Sequence, residues 1–107
     1  PDVNLRQAIH STINTSSDTL TCVDMVTLYE LDESVARDRG ISSLEGLQYA
    51  INLEDAQLWD NAISDATPLA NLEKLEWLNL NFNRVSDLTP FQNLTSLRGL
   101  FLAGSSN

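Results

Sequence analysis

Leu31, Leu53, Leu75 and Leu97 stand 22 residues apart, and most apolar residues between them recur at the same spacing. A leucine grid of this period marks a row of stacked units, each too small to bury its own apolar face. Such a chain folds as a solenoid, not as a globule around one central pocket. The register also sorts side chains in advance into those that fill the stack and those that face a partner.

Numbering each unit from its leading leucine, apolar residues are expected at positions 1, 4, 6, 11, 14, 17 and 20. The second unit supplies Leu53, Ala56, Leu58, Ile63, Ala66, Leu69 and Leu72. The third supplies Leu75, Leu78, Leu80, Val85, Leu88, Phe91 and Leu94. The first supplies Leu31, Ala36, Ile41, Leu44, Leu47 and Ala50, with Ser34 as its single miss. A fourth opens with Leu97, Leu100 and Leu102 and then loses the pattern, since Asn107 falls where Ile or Val belongs. Position 9 carries Asn61 and Asn83 in the two full units, with Arg39 before them and Ser105 after. The expected organisation is a cap over residues 1–30 and repeats over 31–107, starting at 31, 53, 75 and 97, the last incomplete. Loss of the register at that point reads as truncation of a longer array. With no leader before it, Pro1 reads as the start of a mature or trimmed chain.

Residues 1–30 do not obey the repeat. Asp2 followed by Val3, Leu5, Ala8, Ile9 and Ile13 reads as an amphipathic helix with an aspartate N-cap. A polar turn follows over 14–19. Thr21 and Asp24 then fit a capping box, with Val23, Val26 and Leu28 as the inner face of a second helix. Such a segment covers the apolar end and open backbone edge of the first strand. Cys22 is alone and reads as a buried structural thiol.

From residue 31 each unit should run strand, asparagine turn, convex segment. Strands are expected at Glu33–Ala36, Asp55–Leu58, Trp77–Leu80 and Gly99–Leu102, parallel in one curved sheet. The position 9 asparagine amide suits backbone bonds to its own turn and to the next unit. Pro68 and Pro90 lack an N–H and suit 3₁₀ convex segments. Ser42-Ser43, Ser64-Asp65 and Ser86-Asp87 read as turn residues of a spine.

The grid Leu-x-x-Leu-x-Leu-x-x-Asn-x-Val-Ser-Asp-Leu-x-Pro-Phe-x-x-Leu, from Leu75 to Leu94, resembles the 22-residue leucine-rich repeat of bacterial internalin-type surface proteins. Gly40 to Ala50 resembles the first repeat of such proteins. Asp2-x-Asn4-Leu5-Arg6-x-Ala8-Ile9 with Asp24-Met25 resembles their cap. The resemblance implies an α/β leucine-rich repeat solenoid, with a short curved parallel sheet on the concave face, an irregular or 3₁₀ convex side and an α-helical N-terminal cap. It also implies protein recognition through the concave sheet and an extracellular or bacterial cell-surface location.

Strand alternation points positions 4 and 6 inward and leaves 3, 5 and 7, with rim position 8, on the concave face. Those columns hold Glu33, Val35, Arg37 and Asp38; Asp55, Gln57, Trp59 and Asp60; Trp77, Asn79, Asn81 and Phe82; and Gly99, Phe101, Ala103 and Gly104. Both tryptophans and two of the three phenylalanines therefore face outward, a composition typical of binding hot spots. The expected partner surface is Trp59, Trp77, Phe82 and Phe101, with Asp55, Gln57, Asp60 and Asn79. The competing reading is that the aromatics stack across strands to support the sheet and that the acids are a solvated face. A net charge of −9 with one lysine argues against nucleic acid and favours a protein or peptide of basic character.

The usual signatures of chemistry are missing from the pattern. His10 is the single histidine and is expected on the outer side of the cap helix. No Ser-His-Asp set, zinc spacing or phosphate loop is present, and no apolar run is long enough to span a membrane. Asp32-Glu33 and Glu54-Asp55 point to opposite faces as strand neighbours, so neither makes an acid–base dyad. The expectation is no enzyme, no cofactor and no metal, with calcium left open. Asn14 and Asn93 match glycosylation acceptors, and at Asn93 the repeat itself explains the residue. Self-association through an open edge at Leu97–Leu102 is expected. The alternative function is a scaffold that displays other domains and has no ligand of its own.

Overall fold

The computed structural model describes residues 2–13 and 20–104; the expected turn at 14–19, the Cys22 side chain and residues from 105 on lie outside what is described. Helix α1 runs Val3–Ile13, with Leu5, Ala8 and Ile9 on its buried side. Asp2 caps it, Oδ1 accepting from the N–H of Asn4 at 2.8 Å and of Leu5 at 3.1 Å. Its other oxygen accepts from Ser42 N–H at 2.8 Å and Ser43 N–H at 3.2 Å. One carboxylate thus closes the helix start and ties the cap to the first repeat. Partial burial alone would raise the Asp2 pKa, but the bonds from Ser42, Leu5 and Asn4 outweigh it and hold the group below the ordinary aspartate value.

Helix α2, Cys22–Met25, opens with the expected capping box. Thr21 N–H donates to Asp24 Oδ2 at 2.9 Å, and Asp24 N–H donates to Thr21 Oγ1 at 3.2 Å. Its inner face differs from expectation: Met25 and Leu28 are buried, whereas Val23 is exposed. A single helical turn presents little inward surface, and Met25 occupies it. His10 also differs from expectation. It is half-buried, and its Nδ1 is enclosed without a hydrogen-bond partner among the described residues.

Four short strands, β1 (Glu30–Leu31), β2 (Asp55–Gln57), β3 (Trp77–Asn79) and β4 (Gly99–Phe101), form a parallel sheet in chain order. Asp55, Trp77 and Gly99 lie in one row, Ala56, Leu78 and Leu100 in the next, and Gln57, Asn79 and Phe101 in the third. The middle row points into the core.

The first repeat is out of the expected register. Glu33–Ala36 is not a strand but a helical turn, α3. Leu31 pairs with Ala56, so it stands at position 4, and buried Leu28 takes position 1. From Leu28 to Leu53 is 25 residues, three more than the 22 of the later repeats. The insertion coils into α3, after which Ala36 regains position 6. Ser34 was no defect in the grid, because Leu31 fills that place.

The convex side returns through 3₁₀ turns at Leu47–Tyr49, Thr67–Leu69 and Thr89–Phe91, with Pro68 and Pro90 near the start of the last two. Asp65 and Asp87 accept from the N–H of Thr67 and Thr89 at 2.9 and 3.0 Å. Bonds from the hydroxyl and N–H of those threonines hold both carboxyls below the ordinary aspartate value.

Asparagines form the spine. Asn61 Oδ1 accepts from Arg39 N–H and Ile41 N–H at 3.0 Å, while its amide donates to the carbonyls of Ala36 and Leu58 at 2.9 Å. Asn83 repeats this, accepting from Ile63 N–H at 3.0 Å and donating to Leu58 and Leu80. The inter-repeat bonds therefore reach the preceding unit, not the next. Asn83 is fully buried with its amide satisfied. The leucine grid fills one continuous core. Leu88, expected inside, is 53% exposed, because among the described residues no later repeat covers its side.

Candidate functional site

The sheet lays its outward residues in columns. Position 3 reads Glu30, Asp55, Trp77 and Gly99, with Glu30 in place of the expected Glu33. Position 5 reads Gln57, Asn79 and Phe101. The acids occupy the cap end and the aromatics the far end. Trp77, Phe82 and Phe101 are 43%, 52% and 46% exposed.

Two glycines leave room for these rings. A Cβ on Gly99 would sit 2.5 Å from the Trp77 ring and 3.2 Å from that of Phe101. A Cβ on Gly104 would sit 2.5 Å from the Phe82 ring. In both cases an aromatic of the third repeat leans over a glycine in the same column of the fourth. Phe82 holds a left-handed backbone with φ 58°, as do Asp38 and Asp60 at the equivalent rim position. That conformation suits Asp or Gly and disfavours a bulky aromatic.

Trp59 differs from its fellow aromatics. It is half-buried, and the Arg37 guanidinium lies 4.0 Å over its ring. Its Nε1–H is enclosed without a partner among the described residues. Nearby amides serve the fold as well as the surface: Gln57 Nε2 donates to Asp55 Oδ1 at 2.8 Å, Asn79 Oδ1 accepts from Asn81 N–H at 3.0 Å, and Asn81 Oδ1 accepts from Ala103 N–H at 2.7 Å. Asp60 stays exposed at the rim. The structure thus brings Trp77 and Phe101 together over Gly99, on strands beside Asp55, Gln57 and Asn79, places Phe82 at the rim over Gly104, and sets Trp59 apart under Arg37.

A polar groove of about 420 Å³ lies between the cap and the first repeat, lined by Asn4, Gln7, Ser11, Val35, Asp38 and Arg39. Sequence reasoning missed it, because it joins the non-repeating helix to the repeat that carries the insertion. No group of three or more His, Cys, Asp or Glu among the described residues is placed to hold a metal ion. No helix of the described residues is long and apolar enough to cross a membrane.

Cap, curved parallel sheet, 3₁₀ convex turns and asparagine spine together define a leucine-rich repeat solenoid of the internalin type, and the comparisons bear this out. The chain superposes on an internalin, InlF, of Listeria monocytogenes with a TM-score of 0.90 and 34% identity over 98% of its length. It spans 31% of that InlF chain. It also matches a structure of the CBM51-2 and INT domains of Clostridium perfringens ZmpB, with a TM-score of 0.69 and 32% identity over 80% of this chain and 18% of that one. No family model matches the chain, and no curated protein does.

Proposed function

We propose that the chain is a protein-recognition module of a bacterial surface or secreted protein, binding its partner on the concave sheet. The observation that carries this is the exposure of Trp77, Phe82 and Phe101 together on one face. Aromatics are the usual anchors of protein interfaces, and single-face clusters of this kind are uncommon on surfaces without a partner. The acids at Glu30, Asp38, Asp55 and Asp60 favour a basic partner with apolar anchors. The internalin type supports both the recognition role and the location. We read no catalysis into the chain, since its single histidine, His10, is lodged in the cap and not beside the carboxylates of the concave face.

The test compares W77A/F82A with the convex variant Y49A for capture of protein from cell-surface protein extracts, alongside melting temperature. Loss of one specific partner in the concave variant only, with the melt preserved, supports the reading. Equal capture by both overturns it. Protease treatment of intact producing cells should remove the protein before cytosolic markers; protection of the protein counts against the surface location.

A second partner is favoured by Leu100, which is 36% exposed although Leu31, Ala56 and Leu78 in its row are fully buried. We propose that a second copy pairs on the β4 edge at high concentration. Light scattering should show a dimer that L100K abolishes; a monomer at all concentrations overturns this.

A further inference from the structure

We infer that the concave face accepts an arginine side chain of its partner, stacked on Trp77 and paired with Asp55. This rests on the reading that the concave face binds a protein.

The fold already contains the stacking half of such a contact, without an ion pair to Arg37 among the described residues. Arg37 stacks 4.0 Å over Trp59, between residues that are themselves next to Asp38 and Asp60 in the chain. One strand further on a second indole, Trp77, stands beside a carboxylate, and no cation is recorded over its ring among the described residues. The Trp77 ring leans over Gly99, occupying the space a Cβ there would need, and the side chain is 43% exposed. Asp55 is its direct row neighbour on β2, so the two side chains rise from backbones about 4.8 Å apart. One oxygen of Asp55 is engaged by Gln57 at 2.8 Å, and the other has no partner among the described residues. The spacing suits a planar cation that lies on the ring and donates to the carboxylate.

The cation must come from outside. The concave columns contain a single basic residue, Arg37, and it is spent on Trp59. The chain has 15 acids against 6 lysines and arginines. Arginine fits better than lysine, because the guanidinium is flat, weakly hydrated and able to stack and donate together. A sugar ring, the other flat group that seats on tryptophan, could donate hydroxyls to the carboxylate but carries no positive charge to match it, so a glucoside is the competing ligand in the test.

The test titrates ¹⁵N-labelled protein with N-acetyl-arginine amide, N-acetyl-lysine amide or methyl β-glucoside, following the two indole Nε1–H signals. W77F assigns them. The arginine derivative should shift the Trp77 signal in a saturable way, with lysine about two- to fivefold weaker. D55N should reduce the arginine response at least twofold. The Trp59 signal, its ring covered by Arg37, should stay in place and report that each variant is folded. R37A should uncover Trp59 and make its signal respond as well. Equal responses to arginine and lysine, no response, or a response to the glucoside instead would each overturn the inference. If the arginine derivative fails while W77A/F82A still loses its partner, the concave-face reading stands and the arginine assignment falls. If arginine binds while partner capture is untouched, the arginine site stands and the wider reading falls.

Discussion

At the scale of single residues, side chains that serve two repeats at once should matter most. Asn83 satisfies backbone groups of two units from a fully buried position. Asn83→Ala should cost about 2–3 kcal/mol in chemical denaturation, since several buried groups lose their partner; a loss under half a kcal/mol would refute this role. Asp2 makes a pH prediction. Its folded pKa lies below the ordinary value, so its contribution is present above pH about 4 and is lost as pH falls through the folded value. Asn at position 2 still caps the helix but does not titrate. Asp2→Asn should therefore flatten the decline in melting temperature between pH 5 and pH 3 relative to the parent, and an unchanged slope would refute the assignment. At the concave face Gly99→Ala should push the Trp77 ring aside at little cost in stability, visible as a change in Trp77 fluorescence. The spine asparagines and aromatic columns were legible in the sequence because each follows the period. The rings lying on Gly99 and Gly104 were not, because the register gives a column and not the lean of a side chain toward the next strand.

At the scale of elements the first repeat is instructive. The 22-residue grid places β2, β3 and β4 directly, because there the leucine spacing and the strand spacing coincide. It misplaces the first strand, because the inserted residues leave Leu31, Ala36 and Ile41 on apolar positions of a shifted count. Only the sheet pairing of Leu31 with Ala56 separates the two registers. Removing Asp32, Glu33 and Ser34 should restore a 22-residue unit, bringing Val35 to position 5 between Leu31 and Ala36. The shortened chain should fold with its sheet intact, judged by circular dichroism and the two indole signals. Loss of the fold would show instead that α3 is needed to seat α1. The cap helices were legible from Asp2 and from the Thr21-Asp24 box, which bind backbone as local chemistry requires. The half-burial of His10 was not, because the face a cap helix buries depends on what it covers.

At the scale of the whole molecule, charge and exposed aromatics are separated along one curved face, with acids beside the cap and aromatics toward β4. Their arrangement is a by-product of the solenoid, which fixes which columns face outward and leaves their content free. We propose that this face, and not the convex turns, meets the partner. A photocrosslinking amino acid placed at position 101 on the concave face or at position 49 on a convex turn, with the folded protein irradiated in a cell-surface protein extract, tests this most directly. A discrete crosslinked species should form at position 101, be removed by W77A/F82A, and be absent at position 49. A species at position 49, with position 101 silent, would contradict it.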